Sequence, residues 1–195
     1  MKIAVIKYNA GNITSVEFAF KRIGIDVLVT DRQDEIMSAD KVIFPGVGEA
    51  SSAMAYLKEK NLDAIIKNLK QPVLGICLGM QLLCEHSEEG NTSCLGIFPQ
   101  VVKKFKSDQF KVPQIGWNNI YELKSPLFKD IKENSYVYFV HGYYAELGAN
   151  TISKTNYITE YSSALNKNNF YGAQFHPEKS GDVGEQILKN FIELT

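Results

Sequence analysis

The run Pro72-Val73-Leu74-Gly75-Ile76-Cys77-Leu78-Gly79-Met80-Gln81 constrains this chain more than any other stretch. Residues 73–76 are an apolar run of the length of one buried strand, and the residues after Cys77 begin a periodic apolar helix. A cysteine with a glycine two positions before and two after it, set between a strand and a helix, has the form of a nucleophile elbow. The turn is sharp and strained, the glycines remove side chains that would collide with neighbouring elements, and the thiol is presented at the strand's C-terminal end. A helix start behind it offers unpaired N–H groups and a positive dipole end, which favour an anion. Such a cysteine needs a base, a group that orients the base and an oxyanion hole.

The chain before this run predicts the frame around it. Residues 2–8 are a continuous apolar strand of the kind buried on both faces of a parallel sheet. Residues 9–12 predict a turn, with Asn12 capping a helix to about Ile23 that Gly24 ends. A strand over 26–30, a short polar helix over 34–38 and a strand over 41–44 follow. This β-α-β-α-β order is the signature of a parallel α/β sheet. The third strand ends in Pro45-Gly46-Val47-Gly48, whose glycines leave backbone N–H groups free to face a ligand. Helices over 50–60 and 62–69 lead into the cysteine strand, and ligands in open α/β sheets sit beyond the carboxyl ends of adjacent strands. After an acidic loop over 85–93, strands are predicted at 95–105, 118–123, 136–140, 151–157 and 170–175, with a hairpin turn at 166–169 and a closing helix over 181–194. The expected fold is α/β: a mostly parallel, flavodoxin-like central sheet flanked by helices, with antiparallel strands added in the C-terminal half, all in one domain over 1–195.

Charges nearly cancel, at a formal −1, so neither nucleic acid nor a membrane surface is an expected partner. The small cluster Lys103, Lys104 and Lys106 reads as a solvated strand end. No apolar run approaches the ~20 residues of a membrane span, and the N-terminus reads as a strand, not a signal peptide. Three cysteines without a Cys-x-x-Cys pair predict a reducing cytoplasm, no disulfide framework and no metal site. No cofactor is expected.

Only three histidines are available. His86, in the polar loop, is expected on the surface. His141 ends an apolar strand. His176 ends another and precedes Pro177-Glu178, where residues two apart in extended chain share a side and Pro177 denies helix at His176. His176 is therefore the preferred base with Glu178 as its orienter, and His141 is the runner-up. Cys84 and Cys94 are read as core fillers.

Gly75-Ile76-Cys77-Leu78-Gly79-Met80-Gln81 together with Gln174-Phe175-His176-Pro177-Glu178-Lys179-Ser180 resembles the class I, or triad, glutamine amidotransferases. Pro45-Gly46-Val47-Gly48, Ile115-Gly116-Trp117-Asn118 and the stretch from Tyr138 to Tyr144 bring the resemblance closest to the glutaminase subunits of imidazole glycerol phosphate synthases, over essentially the whole chain. The resemblance implies Cys77 as the thiolate nucleophile with His176 and Glu178 completing a triad. It implies the N–H groups of Leu78 and Val47 as oxyanion donors, with residues 45–48 rearranging before Val47 points inward. It implies glutamine as substrate, held by Gly48, Gln81, Glu89 (through the α-amino group), Gly142 and Tyr143. Family members often carry serine where this chain has Gly142. Finally it implies a separate (βα)₈-barrel cyclase as heterodimer partner, because a barrel of ~250 residues does not fit in this chain, with Asn12, Trp117, Tyr138 and Lys179 facing it. Trp117 could equally be core by composition.

Four other readings stay open in the sequence. An anthranilate-type glutaminase usually carries histidine where Met80 stands, and a pyridoxal-phosphate-synthase glutaminase differs at 45–48 and 75–79. A paralogue feeding ammonia to a surface-sugar amidation enzyme would carry the same motifs. A catalytically silent interaction module would not need Cys77, His176, Glu178 and Gln81 together.

Overall fold

A computed structural model describes residues 1–9 and 12–194. The turn expected at 9–12 falls at positions 10 and 11 outside the described residues. The chain runs β1 (Ile3–Ile6), α1 (Ile13–Arg22), β2 (Leu28–Thr30), α2 (Gln33–Met37), β3 (Lys41–Phe44), α3 (Ala50–Glu59), α4 (Leu62–Asn68), β4 (Val73–Ile76) and α5 (Leu78–Leu83). Then come β5 (His86–Ser87), β6 (Thr92–Ser93), β7 (Val101–Lys104), β8 (Gln114–Ile120), β9 (Ser135–His141), β10 (Tyr143–Ala145), β11 (Thr151–Tyr157), β12 (Thr159–Lys167), β13 (Phe170–Ala173) and α6 (Gly181–Glu193).

The sheet order is β2-β1-β3-β4-β13-β12-β10-β7-β5-β6, with β11 paired to β12. From β2 to β13 every pairing is parallel, and the β13–β12, β12–β10 and β10–β7 pairings are antiparallel. The predicted α/β architecture is therefore the observed one. Alternate residues of the parallel strands feed two separate cores, as the period of two requires. Ala4, Ile6, Val42, Phe44 and Val73 pack with α3, α4 and α5 on one face. Ile3, Val5, Ile43, Leu74 and Ile76 pack with α1, α6 and the β8–β9 pair on the other.

The expected strand over 95–105 is shorter than predicted, at Val101–Lys104. Leu95 and Phe98 are buried, but their backbone closes the C-terminal end of α5 instead. Leu95 N–H donates to Leu82 O at 2.8 Å, and the N–H groups of Ile97 and Phe98 both donate to Leu83 O at 2.9 Å. The orphan carbonyls of a helix end are satisfied here by an apolar loop. β12, which the sequence did not signal, is rich in hydroxyls that pair across the hairpin. Thr151 Oγ1 lies 2.7 Å from Ser162 Oγ, and Ser153 Oγ lies 2.8 Å from Ser163 Oγ.

Candidate active site

β4 delivers Cys77 to the C-terminal edge of the parallel sheet, between the ends of β3 and β13. Its backbone is at φ 52°, ψ −109°, a conformation that a residue with a Cβ adopts only when its surroundings enforce it. Both bracketing glycines are required by space. A Cβ on Gly75 would lie 2.8 Å from Met80 N and from Leu83 Cδ1, where α5 folds back over the strand. A Cβ on Gly79 would lie 1.8 Å from Phe44 O, where α5 crosses the end of β3.

His176 follows β13, with its N–H donating to Tyr138 O at 2.9 Å. Its Nδ1 lies 2.8 Å from Glu178 Oε1. The contact does not arise from extended chain, as the sequence suggested: Pro177–Lys179 is one 3₁₀ turn that swings the carboxylate back under the ring. Asn12 Nδ2 donates to the same Glu178 oxygen at 2.7 Å. Asn12 was expected to cap α1 and to face a partner; its amide makes no cap bond and turns inward onto the carboxylate. Burial alone would lower the His176 pKa. The hydrogen bond and charge of Cys77, then those of Glu178, outweigh it and hold the imidazole up at about 10. With Nδ1 on Glu178, Nε2 is the nitrogen left for the sulfur.

His141, the other candidate base, is committed elsewhere. Its Nδ1 is 2.7 Å from Tyr143 O and its Nε2 is 3.2 Å from the Tyr161 hydroxyl, both inside the protein. Burial drives its pKa down to about 4, so it is a neutral structural imidazole at ordinary pH. His86, expected on the surface, is half-buried in β5. Cys84 is buried in the core and Cys94 packs partly buried against it.

A cleft of about 260 Å³ opens over Cys77, lined among others by Val47, Gly48, Leu78, Gln81, Glu89 and Tyr143. Gly142 also lines it, so every residue expected to bind substrate borders one cavity. Gln81 is buried, not solvent-facing, and its Nε2 donates to Tyr143 O and to Gln174 Oε1, each at 2.9 Å. Glu89 Oε2 accepts from Ala50 N–H at 2.8 Å at the start of α3. Burial raises the Glu89 pKa, the Ala50 N–H lowers it and neighbouring Glu49 raises it again. A Cβ on Gly142 would meet only Pro113 Cβ at 3.8 Å and Val112 Cγ1 at 3.9 Å, so serine fits there.

The N–H groups expected to receive an oxyanion are not both free. Leu78 N–H donates to Gly46 O at 3.2 Å, so the carbonyl of the loop over 45–48 sits where a developing oxyanion would need the donor. The Tyr8 hydroxyl, whose pKa burial pushes upward, donates to Pro45 O at 2.6 Å and pins the same loop. Gly48, at φ +122°, is at the loop's exposed end. Tyr8 is a functional candidate that sequence reasoning missed, because it lies 37 positions from its acceptor.

Of the residues expected to face a partner, Trp117 is 55% exposed, so it is not core. It stands opposite Tyr138 in the β8–β9 register, the two rings edge-on at 5.9 Å. Ile115 and Tyr136 are exposed beside them, and Lys179 is exposed next to the buried Glu178.

A family model described as glutamine amidotransferase class-I matches residues 4–194. An imidazole glycerol phosphate synthase subunit HisH from Bacteroides fragilis is 58% identical over the whole of both chains. The protein of that name from Idiomarina loihiensis is 44% identical over all of this chain and 99% of its own. Among solved structures, a glutamine amidotransferase from Thermotoga maritima overlays with a TM-score of 0.68 at 19% identity, over 99% of this chain and 81% of that one. PurLQS from Thermotoga maritima gives 0.74 at 14% identity, over 98% and 97%. At such identities the structural likeness bears on the fold alone. The family model and the full-length relatives decide the family: this chain belongs to the class-I glutamine amidotransferases.

Proposed function

We propose that this chain is the glutaminase subunit of an imidazole glycerol phosphate synthase in histidine biosynthesis, one amidotransferase domain over 1–195. It hydrolyses glutamine and passes the ammonia to a separate (βα)₈-barrel cyclase. The observation that carries the chemistry is a cysteine held at positive φ on a strand-to-helix elbow, over a cleft, with a His176–Glu178 pair buried beside it. The Cys77 thiolate attacks the glutamine side-chain carbonyl. The tetrahedral oxyanion is taken by the N–H groups of Leu78 and Val47. His176, oriented by Glu178, protonates the departing ammonia and then activates water against the γ-glutamyl thioester. Gln81, Glu89, Gly48 and the 142–143 backbone position the substrate. The Trp117–Tyr138 ridge with Ile115, Tyr136 and Lys179 is the surface offered to the cyclase, and its exposed aromatics suit that role. The compartment that goes with such a complex is the cytoplasm.

Reconstitution with the candidate barrel cyclase tests this reading, with glutamine-dependent formation of imidazole glycerol phosphate as the measurement. Labelling of Cys77 by a glutamine-analogue electrophile, with no product formed on adding the cyclase, would keep the glutaminase and discard the acceptor. Absence of labelling would discard both.

The occupied Leu78 donor predicts low turnover by the chain alone. A missing oxyanion donor typically costs about 10²–10³ in rate, and a partner that shifts the loop restores it. Tyr8→Phe removes the Tyr8–Pro45 bond, one of the two described above that hold the loop in place. A hydrogen bond of about 0.5–1.5 kcal/mol corresponds to a shift of about 2–10-fold in the loop equilibrium. Partner-free glutamine hydrolysis by Tyr8→Phe is expected to rise by that factor, measured as glutamate release. An unchanged or lower rate counts against the hydroxyl as a latch.

A further inference from the structure

Gln174 makes a contact that the triad does not account for. It is fully buried at the end of β13, its N–H donates to Ser163 O at 2.9 Å, and its side-chain Nε2 lies 3.7 Å from Cys77 Sγ. Side-chain amides can be placed either way round, but here the neighbours fix the choice. Tyr143 O can only accept, so the group of Gln81 that lies 2.9 Å from it is the NH₂. The second N–H of that NH₂ faces Gln174 at 2.9 Å, so the Gln174 atom there is the carbonyl oxygen. The NH₂ of Gln174 is thereby left pointing at the sulfur.

We infer that Gln174 is a further catalytic residue, an N–H donor to the Cys77 sulfur that favours its ionised form and aims it at the cleft. Among the described residues Sγ has one opposing neighbour: Val140 O, also at 3.7 Å, which can accept from a thiol and has nothing to offer a thiolate. The amide serves both forms, and it is the uncharged counterweight to that carbonyl. It also joins the nucleophile to the substrate pocket, because the same amide anchors Gln81. The titratable groups around the sulfur are His176 after β13, with Glu178 behind it, His141 at the end of β9, Tyr8 after β1 and Tyr161 on β12. Both tyrosines are held neutral by burial and His141 is neutral, so besides the imidazolium the Gln174 N–H is the donor within reach among these groups.

This inference rests on Cys77 being the nucleophile, and its test separates the two. The full-length chain is treated with iodoacetamide across a pH series, with peptide mapping to distinguish Cys77 from Cys84 and Cys94. Wild type, Gln174→Met and Gln174→Glu are compared, and melting temperatures are recorded. Gln174→Met is expected to slow Cys77 alkylation at neutral pH by about tenfold or more, the scale of a hydrogen bond to a charged group. Its pH–rate profile is expected to move to higher pH, while its melting temperature stays within a few degrees of wild type. Gln174→Glu keeps an acceptor for Gln81 but turns an oxygen toward the sulfur, so it is expected to be slower still, and it decides the matter if the methionine variant does not fold. A folded variant that is alkylated at the wild-type rate and shows only a raised KM for glutamine overturns the inference, since Gln174 would then act solely through Gln81. Unreactive Cys77 in the wild type would instead overturn the proposed function.

Discussion

Cys77→Ser is expected to lower glutamine-dependent synthesis by the reconstituted complex at least about 10³-fold while leaving synthesis from added ammonium salt near the wild-type rate. A hydroxyl is far less acidic than a thiol and a poorer nucleophile, and loss of a nucleophile that works as a unit with its base typically removes most of the chemical acceleration. The elbow itself tolerates serine, which occupies such turns in related architectures, so the fold and the partner surface remain. A second readout follows from the electrostatics. Burial lowers the His176 pKa, and the Cys77 hydrogen bond and charge are the largest effects raising it to about 10. Without the Cys77 sulfur the imidazole is expected to titrate lower, a change that nuclear magnetic resonance can follow. The sign for stability is that of a raised histidine pKa. The stabilisation is fully present below the unfolded value near 6.5 and fades as pH rises through about 10. Cys77→Ser should therefore flatten the loss of stability between those limits. Loss of both glutamine- and ammonium-dependent synthesis would show Cys77 to be structural.

How much of this could be read from the residues depends on how far apart the contacting groups lie. The elbow and the His176–Glu178 pair are local: a glycine bracket carries its own signal, and a carboxylate two positions after the histidine was legible as its partner although the 3₁₀ turn that joins them was read as extended chain. The parallel half of the sheet was legible because β1, β3 and β4 are buried throughout and contain little but apolar side chains. β12 was not, because its Ser162 and Ser163 are buried yet polar, and the hydroxyls that satisfy them come from Thr151 and Ser153 across a hairpin. The run from Leu95 to Phe98 gave the opposite error. Its apolar side chains are buried as expected, but its N–H groups serve the end of α5 and not a strand. The contacts that tune the site were out of reach altogether. Asn12 meets Glu178 from 166 positions away and Gln174 meets Cys77 from 97. No local pattern announces that an asparagine at a helix start will turn inward onto a carboxylate.

The same distinction sets the second large effect. Gly79→Ala is expected to destabilise the chain by about 3–5 kcal/mol, toward the upper end of what single overpacking substitutions cost. On helix propensity alone the change would stabilise by up to about 1 kcal/mol. Space decides against it. The new Cβ would fall 1.8 Å from Phe44 O, 2.9 Å from Phe44 C and 3.4 Å from Pro45 C. All three neighbours are backbone, so no side chain can rotate away. Relief requires moving α5 off the end of β3, and that displaces both Cys77 and the start of the loop over 45–48. Stability and glutamine turnover should therefore fall together, with the melting temperature lower by roughly 6–20 °C at about 2–4 °C per kcal/mol for a chain of this size. Gly142→Ser is the matched control. Its Cβ meets nothing closer than 3.8 Å, and its backbone does not need positive φ, so thermal stability should hold. If Gly79→Ala melts like wild type, the close approach of α5 to β3 is not what the second glycine of the elbow is for. If both variants lose stability alike, the cost lies in glycine replacement in general and not in this contact.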